Sequence, residues 1–337
     1  MIELTDHRDA PSRRWPYVLL MLIVVVFVLP AAIAFSTPWP AVLFIRPLVN
    51  EKLPVTPRIS TAMQSVTISA PMRFPVDQAP PGSLVFITPK ATPSRSRPVI
   101  LWIHGGGFVA GSADQLIGYL SVLASSGFTI ANLEYSLAPE NRYPVPIRQA
   151  VAALTVIREH AQDYGGDPNR LIIAGDSAGA QMTSQLAAMI TNEELARKVG
   201  IPIQFSAQSL RGVMLNCGAY DMYTAPGTGF PAIDTLHWAY IGQRNYLRTN
   251  AADEMSTAKH ATSAFPPTYI NAGDGDPFES QAYELEAILR RQGVTVTSRY
   301  WTWSGRKLPH LYHYDVETEP GQLVLKDMID FVRGRTS

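Results

Sequence analysis

Four short segments of the chain carry side chains suited to nucleophilic chemistry. The first is Gly175-Asp176-Ser177-Ala178-Gly179, a G-x-S-x-G sequence between the apolar run Leu171 to Ala174 and the amphipathic stretch Ala178 to Thr191. A serine so placed sits on a tight strand-to-helix turn, where the flanking glycines tolerate strained backbone angles and let a substrate approach. The helix N-terminus beside it, with its partial positive charge and free N–H groups, favours a developing oxyanion. The letters alone also describe an ordinary capping serine, so the motif needs partners.

The second segment, His104-Gly105-Gly106-Gly107-Phe108, follows the apolar strand Val99 to Ile103. Successive glycines leave backbone N–H groups unshielded, which acyl transfer requires where negative charge builds on a carbonyl oxygen. Gly105 and Gly106, joined by the N–H of Ala178, are the expected oxyanion donors. A phosphate-binding loop would require a lysine or G-x-G-x-x-G spacing, and neither is present here. His104, at the end of a strand, is expected to hold the loop in shape through a hydrogen bond rather than act as a base.

A nucleophilic serine needs a base, and the base an acid that fixes its tautomer. Of the seven histidines, His7 precedes an apolar segment, His104 is in the loop, and His160, His237 and His260 fall in helix-like or inserted stretches. That leaves His310 and His313. In strand-turn-helix serine sites the partners follow in the order serine, acid, histidine, which selects His310, between the strand Thr295 to Trp301 and the final helix, with His313 in reserve. The acid comes from Asn271-Ala272-Gly273-Asp274-Gly275-Asp276-Pro277-Phe278, after the penultimate strand. Asp276 is preferred because the following proline fixes a turn that can aim its side chain, which leaves Asp274 as a turn residue.

These residues are carried by elements with an alternating pattern. Strand-like runs at 65–69, 84–88, 99–104, 129–135, 171–174, 213–217, 268–272 and 295–301 alternate in the later part with helical patterns at 145–164, 178–191, 280–291 and 322–333, which argues for a mostly parallel sheet with helices on both faces. The stretch 224–262 breaks this rhythm and reads as an insertion near the mouth of the site. Prolines 38, 40, 47, 54 and 57 make 37–60 a broken or extended linker that also covers the site. The catalytic domain is then 61–337.

At 337 residues one large domain with an appendage is expected. Lys+Arg and Asp+Glu balance at 28 each, so nothing recommends a nucleic acid as partner. The single cysteine, Cys217, excludes an intrachain disulfide and a thiolate metal cluster, and reads as a small apolar residue on a buried strand. No metal or organic cofactor is implied.

The N-terminus differs in kind. After a tail over 1–15, residues 16–36 are almost wholly apolar, preceded by Arg13 and Arg14 and flanked by Trp15 and Tyr17, which suit a lipid–water boundary. A transmembrane signal anchor is expected, with 40–48 extending the membrane contact and the catalytic domain on the extracytoplasmic side. The alternative is a signal peptide cleaved after the small-x-small pattern Ala32-Ile33-Ala34.

Taken together, His104-Gly105-Gly106-Gly107-Phe108, Glu134-Tyr135-Ser136-Leu137-Ala138-Pro139-Glu140, Gly175-Asp176-Ser177-Ala178-Gly179 and Asp276-Pro277 with His310 downstream resemble the hormone-sensitive-lipase branch of the α/β-hydrolases. The resemblance runs from about Pro98 to the C-terminus. It implies the α/β-hydrolase fold, with a mostly parallel central sheet of about eight strands flanked by helices and a small cap. It also implies Ser177 as nucleophile, Asp276 and His310 as its relay, and Gly105, Gly106 and Ala178 as oxyanion donors. Phe278 departs from the usual leucine after the Asp-Pro pair. Glu140 reads as structural. A serine carboxylesterase or lipase-like hydrolase acting on a small-molecule or lipid ester is the expected function. Two readings stand beside it: a binding module of the kind represented by plant gibberellin receptors, which resemble this family but lack the working histidine, and an acyltransferase that shares every residue.

Overall fold

The computed structural model describes residues 15–91 and 95–337. His7, Arg13, Arg14 and almost all of the tail expected over 1–15 lie outside the described residues.

Nine strands form one sheet: β1 (Val66–Ile68), β2 (Met72–Val76), β3 (Ala79–Pro89), β4 (Arg97–Ile103), β5 (Thr129–Glu134), β6 (Gly166–Asp176), β7 (Leu210–Asn216), β8 (Thr268–Asn271) and β9 (Val296–Arg299). The order is β1-β3-β5-β4-β6-β7-β8-β9, and β2 pairs with β3 beside β1. From β5 to β9 every pairing is parallel, whereas β1, β2 and β5 pair antiparallel with β3. The mostly parallel sheet is therefore as expected, and the hairpin β2–β3 adds the strand that the apolar runs do not reveal. Two apolar layers cover the sheet, one containing Leu101, Ile173 and Leu215, the other Ile100, Ile172 and Met214. Consecutive residues of β4, β6 and β7 thus point to opposite faces and are buried on both, which is why these strands read as continuous apolar runs.

The linker expected over 37–60 is corrected in part. It holds two helices, Trp39–Val49 and Pro57–Ser65, joined by a stretch without regular structure. The prolines do not prevent this because Pro40 and Pro57 fall in first turns, where the missing N–H has no helical partner to lose. Pro47 lies inside the first of these helices, close to its end.

A single transmembrane helix over 16–36 is also corrected: among the described residues no helix is long and apolar enough to cross a membrane. The apolar run is helical but divided into Trp15–Ile23, a π-helical turn Val24–Val28, and Leu29–Ser36. Pro30, which has no N–H to give the preceding turn, stands where the α-helical ladder resumes, and wider i→i+5 bonding accommodates such a break. Side chains from Tyr17 to Leu29 are exposed along this run.

Candidate active site

The functional residues gather at the carboxyl ends of the parallel strands, where the loops of an open α/β sheet converge. β4 ends in the His104 loop, β6 in Ser177, β8 in the Asp276 loop, and β9 in the segment that carries His310. Ser177 takes φ +51° and ψ −120°, a strained conformation for a residue with a side chain, and its N–H donates to the Asn216 carbonyl at 2.9 Å. The glycines beside it allow this. A Cβ on Gly179 would collide with the Ile103 carbonyl oxygen, and one on Gly175 would meet the Gly179 backbone.

His310 lies between the other two expected residues. Its Nε2 is 2.9 Å from Ser177 Oγ and its Nδ1 is 3.0 Å from Asp276 Oδ1. Asp276 Oδ1 also accepts the Phe278 N–H at 2.9 Å, so the turn after the aspartate fixes the carboxylate. Phe230 and Phe278, stacked at 4.4 Å, both stand edge-on to the His310 ring. Asp274 accepts the Leu308 N–H and the Ser304 hydroxyl and so braces the loop leading to His310. His313 is buried, neither ring nitrogen has a partner among the described residues, and burial pushes its pKa down to about 3. A ring held neutral and without partners is not placed to take the Ser177 proton.

The glycine loop is where the structure differs from expectation. Gly105 donates its N–H to Asp176 Oδ2 at 2.9 Å, so this expected oxyanion donor is already committed. The other carboxylate oxygen accepts the Trp102 indole N–H at 3.0 Å. Gly106 and Gly107 instead line the apolar cavity beside Ser177, and their N–H groups have no acceptor among the described residues. Gly106 has φ +111°, and a Cβ there would run into the Ala110 carbonyl oxygen. His104 bonds the Gly105 carbonyl through Nδ1 at 2.8 Å, stacks on Tyr135 at 4.2 Å, and is driven by burial to a pKa of about 4. It is a neutral brace for the loop.

Asp176 thus ties the turn that holds the serine to the glycine loop, a link that the motif letters do not announce. Burial pushes its pKa up to about 6, against the opposing effect of its hydrogen bonds. An unfolded aspartate titrates at about 4, so between about pH 4 and 6 the folded protein keeps a proton that the unfolded chain has lost. Stability from this group is therefore present below that window and is lost as pH rises through it. Asp176→Asn removes the titration, and the variant's melting temperature relative to the native protein is expected to climb across the window. Melts that keep a constant difference would show that Asp176 does not titrate there.

Arg46, the only charged residue in the helix Trp39–Val49, was absent from the expected site. It donates to the Val109 carbonyl at 2.8 Å and the Ala138 carbonyl at 3.0 Å, and grips Glu140 with two bonds of 2.8 and 2.6 Å. The guanidinium draws the Glu140 carboxyl below its ordinary pKa. Glu140 is thereby structural, and the signal available in the sequence was a lone arginine within an apolar stretch. Arg46→Ala is expected to cost about 2 kcal/mol, the scale of hydrogen bonds to a charged group, and to raise KM for apolar esters several-fold. Denaturant melts and initial rates would check both.

Two cavities meet at Ser177. The larger, about 470 Å³, is walled by Phe44, Ile45 and Leu48 of the helix Trp39–Val49 and by Pro231, Leu236 and Leu311, with His310 at its edge. The smaller, about 20 Å³, lies among Ala178, Gln181, Ala219, Ile233, His237 and Phe278. Residues 230–237, from the expected insertion, contribute to both. Cys217 Sγ, an Asp276 oxygen and a His310 nitrogen fall within 4.8 Å of one another. They do not make a fitting metal set: both ring nitrogens and the Asp276 Oδ1 are committed, and burial raises the thiol pKa, which disfavours the thiolate that a metal needs.

With this geometry the chain belongs to the α/β-hydrolase fold family, whose model matches residues 100–313. It is similar to the esterase LipI of Mycobacterium tuberculosis, 29% identical over 228 residues, 64% of this chain and 67% of that protein. It is also similar to an acetyl esterase of Salmonella schwarzengrund, 33% identical over 201 residues, 58% of this chain and 60% of that one. The chain thus spans about three fifths to two thirds of the length of these curated relatives. Among solved structures a bacterial heroin esterase shares the fold at a TM-score of 0.68 and 24% identity, covering 81% of this chain and 85% of that one.

Proposed function

We propose that this protein is a carboxylic ester hydrolase that works through an acyl-enzyme. The observation that carries the reading is the continuous bonding from Asp276 through His310 to Ser177, at 3.0 and 2.9 Å. His310 takes the Ser177 proton as Oγ bonds to the ester carbonyl carbon. The oxyanion is held by the N–H groups of Gly106, Gly107 and Ala178, which replace the expected set that began at Gly105. The carbon–oxygen bond to the alcohol then breaks, and His310 hands its proton to the leaving oxygen. Water, deprotonated by the same ring, attacks the acyl carbon and releases the acid and Ser177. Asp276 holds the imidazole and stabilises its charged form. The names of the relatives support ester hydrolysis as the reaction class.

The full chain is expected to react with a fluorophosphonate probe at Ser177 and to hydrolyse p-nitrophenyl esters. Labelling without turnover would favour the acyltransferase reading, and adding a competing alcohol would then yield its ester. A folded protein that neither labels nor turns over would remove the hydrolase reading.

We further propose that the apolar helical run before Ser36 attaches the enzyme to a membrane. The support is the unbroken exposure of apolar side chains from Tyr17 to Leu29, which water disfavours. The full chain is expected to stay in the membrane fraction through an alkaline carbonate wash. Release into the supernatant would overturn the attachment.

A further inference from the structure

Ala41 of the helix Trp39–Val49 borders the large cavity at Ser177 and also a separate cavity, of about 520 Å³, that contains none of the residues assigned to ester chemistry. Arg244 and Arg248 stand in its wall beside Thr37, Pro38 and Trp238. Arg244 is held in place. Its guanidinium lies 3.7 Å from the centre of the Phe35 ring and 5.4 Å from that of Trp238, and its Nη1 donates to the Phe35 carbonyl at 2.7 Å. Among the described residues its other side-chain N–H groups have no acceptor, and the Arg248 side chain has neither a hydrogen-bond nor an ion-pair partner. The one carboxylate in the wall, Asp234, accepts the Tyr246 hydroxyl at 2.7 Å and pairs with neither arginine. Two cations therefore face the cavity against a single carboxylate, and both are exposed to whatever enters it.

The place of this cavity in the chain identifies the anion it suits. Thr37 and Pro38 directly follow the apolar run that ends at Ser36, so the arginines stand where that run leaves the lipid. Trp39, Leu43, Phe44 and Leu48, all exposed, continue the apolar surface along the next helix, and tryptophan is the residue type that settles at headgroup level. Resting on the membrane attachment proposed above, we infer that this cavity binds the phosphate headgroup of an anionic phospholipid and so fixes how the catalytic domain sits on the membrane. A guanidinium offers paired N–H donors that match phosphate oxygens, and the Thr37 hydroxyl and Asn245 amide add further donors. The volume, in the range of small-molecule sites, leaves room for a polar substituent on the phosphate. A zwitterionic headgroup fits less well, because its ammonium meets two like charges. General attraction of a basic protein to an anionic surface does not enter, since Lys+Arg and Asp+Glu balance at 28 each. Selectivity for anionic lipid then rests on the local pair of arginines.

The test uses the purified full chain in non-ionic detergent and follows its melting temperature as short-chain phosphatidylglycerol, phosphatidylcholine with the same acyl chains, or inorganic phosphate is added. Saturating phosphatidylglycerol is expected to raise the melting temperature by about 3 °C or more, because a ligand bound only by the folded state stabilises that state. Phosphatidylcholine and phosphate at the same concentration are expected to leave it within about 1 °C. Arg248→Gln, whose side chain breaks no bond among the described residues, is expected to reduce the rise, and the double variant Arg244→Gln with Arg248→Gln to abolish it. Arg291→Gln, at the end of a helix that does not line the cavity, is expected to keep it. Hydrolysis of 2-naphthyl acetate in the absence of added lipid is expected to be unchanged in all three variants, since none of these residues touches Ser177, His310 or Asp276. An equal rise with phosphatidylcholine, a rise with phosphate as large as that with phosphatidylglycerol, or a rise that both Arg248→Gln and the double variant retain in full overturns the headgroup site and leaves the membrane attachment standing. Release of the native chain by the carbonate wash overturns the attachment and, with it, the lipid as ligand.

Discussion

Ser177→Ala is expected to lower kcat on 2-naphthyl acetate by roughly 10⁶-fold, the scale on which removal of a triad serine acts. The size follows from the chemistry: alanine has no oxygen to form the acyl bond, and no other described hydroxyl lies within hydrogen-bond reach of the His310 ring. Because Ser177 and His310 act as one unit, His310→Ala and the double variant should fall to the same floor and show no further product of losses. That floor should still exceed the uncatalysed rate by about 10³- to 10⁴-fold, since the oxyanion donors and the apolar cavity remain. Steady-state rates on the three variants decide the point. Activity in Ser177→Ala within tenfold of native would mean that another group attacks the ester, and the assignment would fall.

The second large effect is expected at Asp276, where replacement by alanine should lower kcat by roughly 10⁴-fold. Its Oδ1 accepts from both His310 Nδ1 and the Phe278 N–H, so alanine removes the ring's anchor and frees a buried backbone donor together. Asp276→Asn separates the two contributions. An asparagine oxygen in the Oδ1 position can keep both bonds and hence the ring's tautomer, while the charge that favours the imidazolium is gone. Its loss should therefore be smaller than that of alanine, and it should appear in kcat more than in KM. If asparagine and alanine lose activity equally, the charge carries the whole effect. If neither loses more than tenfold, Asp276 is not the orienting acid, and Asp274 would have to be reconsidered.

Much of this site is legible in the sequence because its chemistry is written in short local strings. Ser177 is marked by a strand, two glycines and a helix within a few residues, and the strained φ of +51° is the physical reason the glycines are there. The choice between His310 and His313 rested on order along the chain, and the structure separates them by environment: one joins two polar partners, while the other is buried among aromatic rings without any. The departure at Gly105, whose N–H is bonded to Asp176, is of another kind. Which N–H groups in a run of glycines face the substrate depends on where the loop turns, and that turn is set by Asp176, distant in sequence and adjacent in space. The helix Trp39–Val49 was hidden by its prolines, whose positions within the helix, rather than their number, decide whether it forms.

By itself the sequence determined the class of sheet and singled out Ser177 as the candidate nucleophile with the partners it would need, because apolar periodicity and backbone sterics act over a few residues at a time. Only the tertiary structure decided which glycine N–H groups are free, that Arg46 clamps the helix Trp39–Val49 onto the end of the glycine loop, and that two cavities of unequal size meet at Ser177. Those features arise where segments far apart in the chain come into contact. Their dimensions depend on how Phe230, Ile233, Leu236 and Phe278 pack around the serine, and no local pattern of residues encodes that distance.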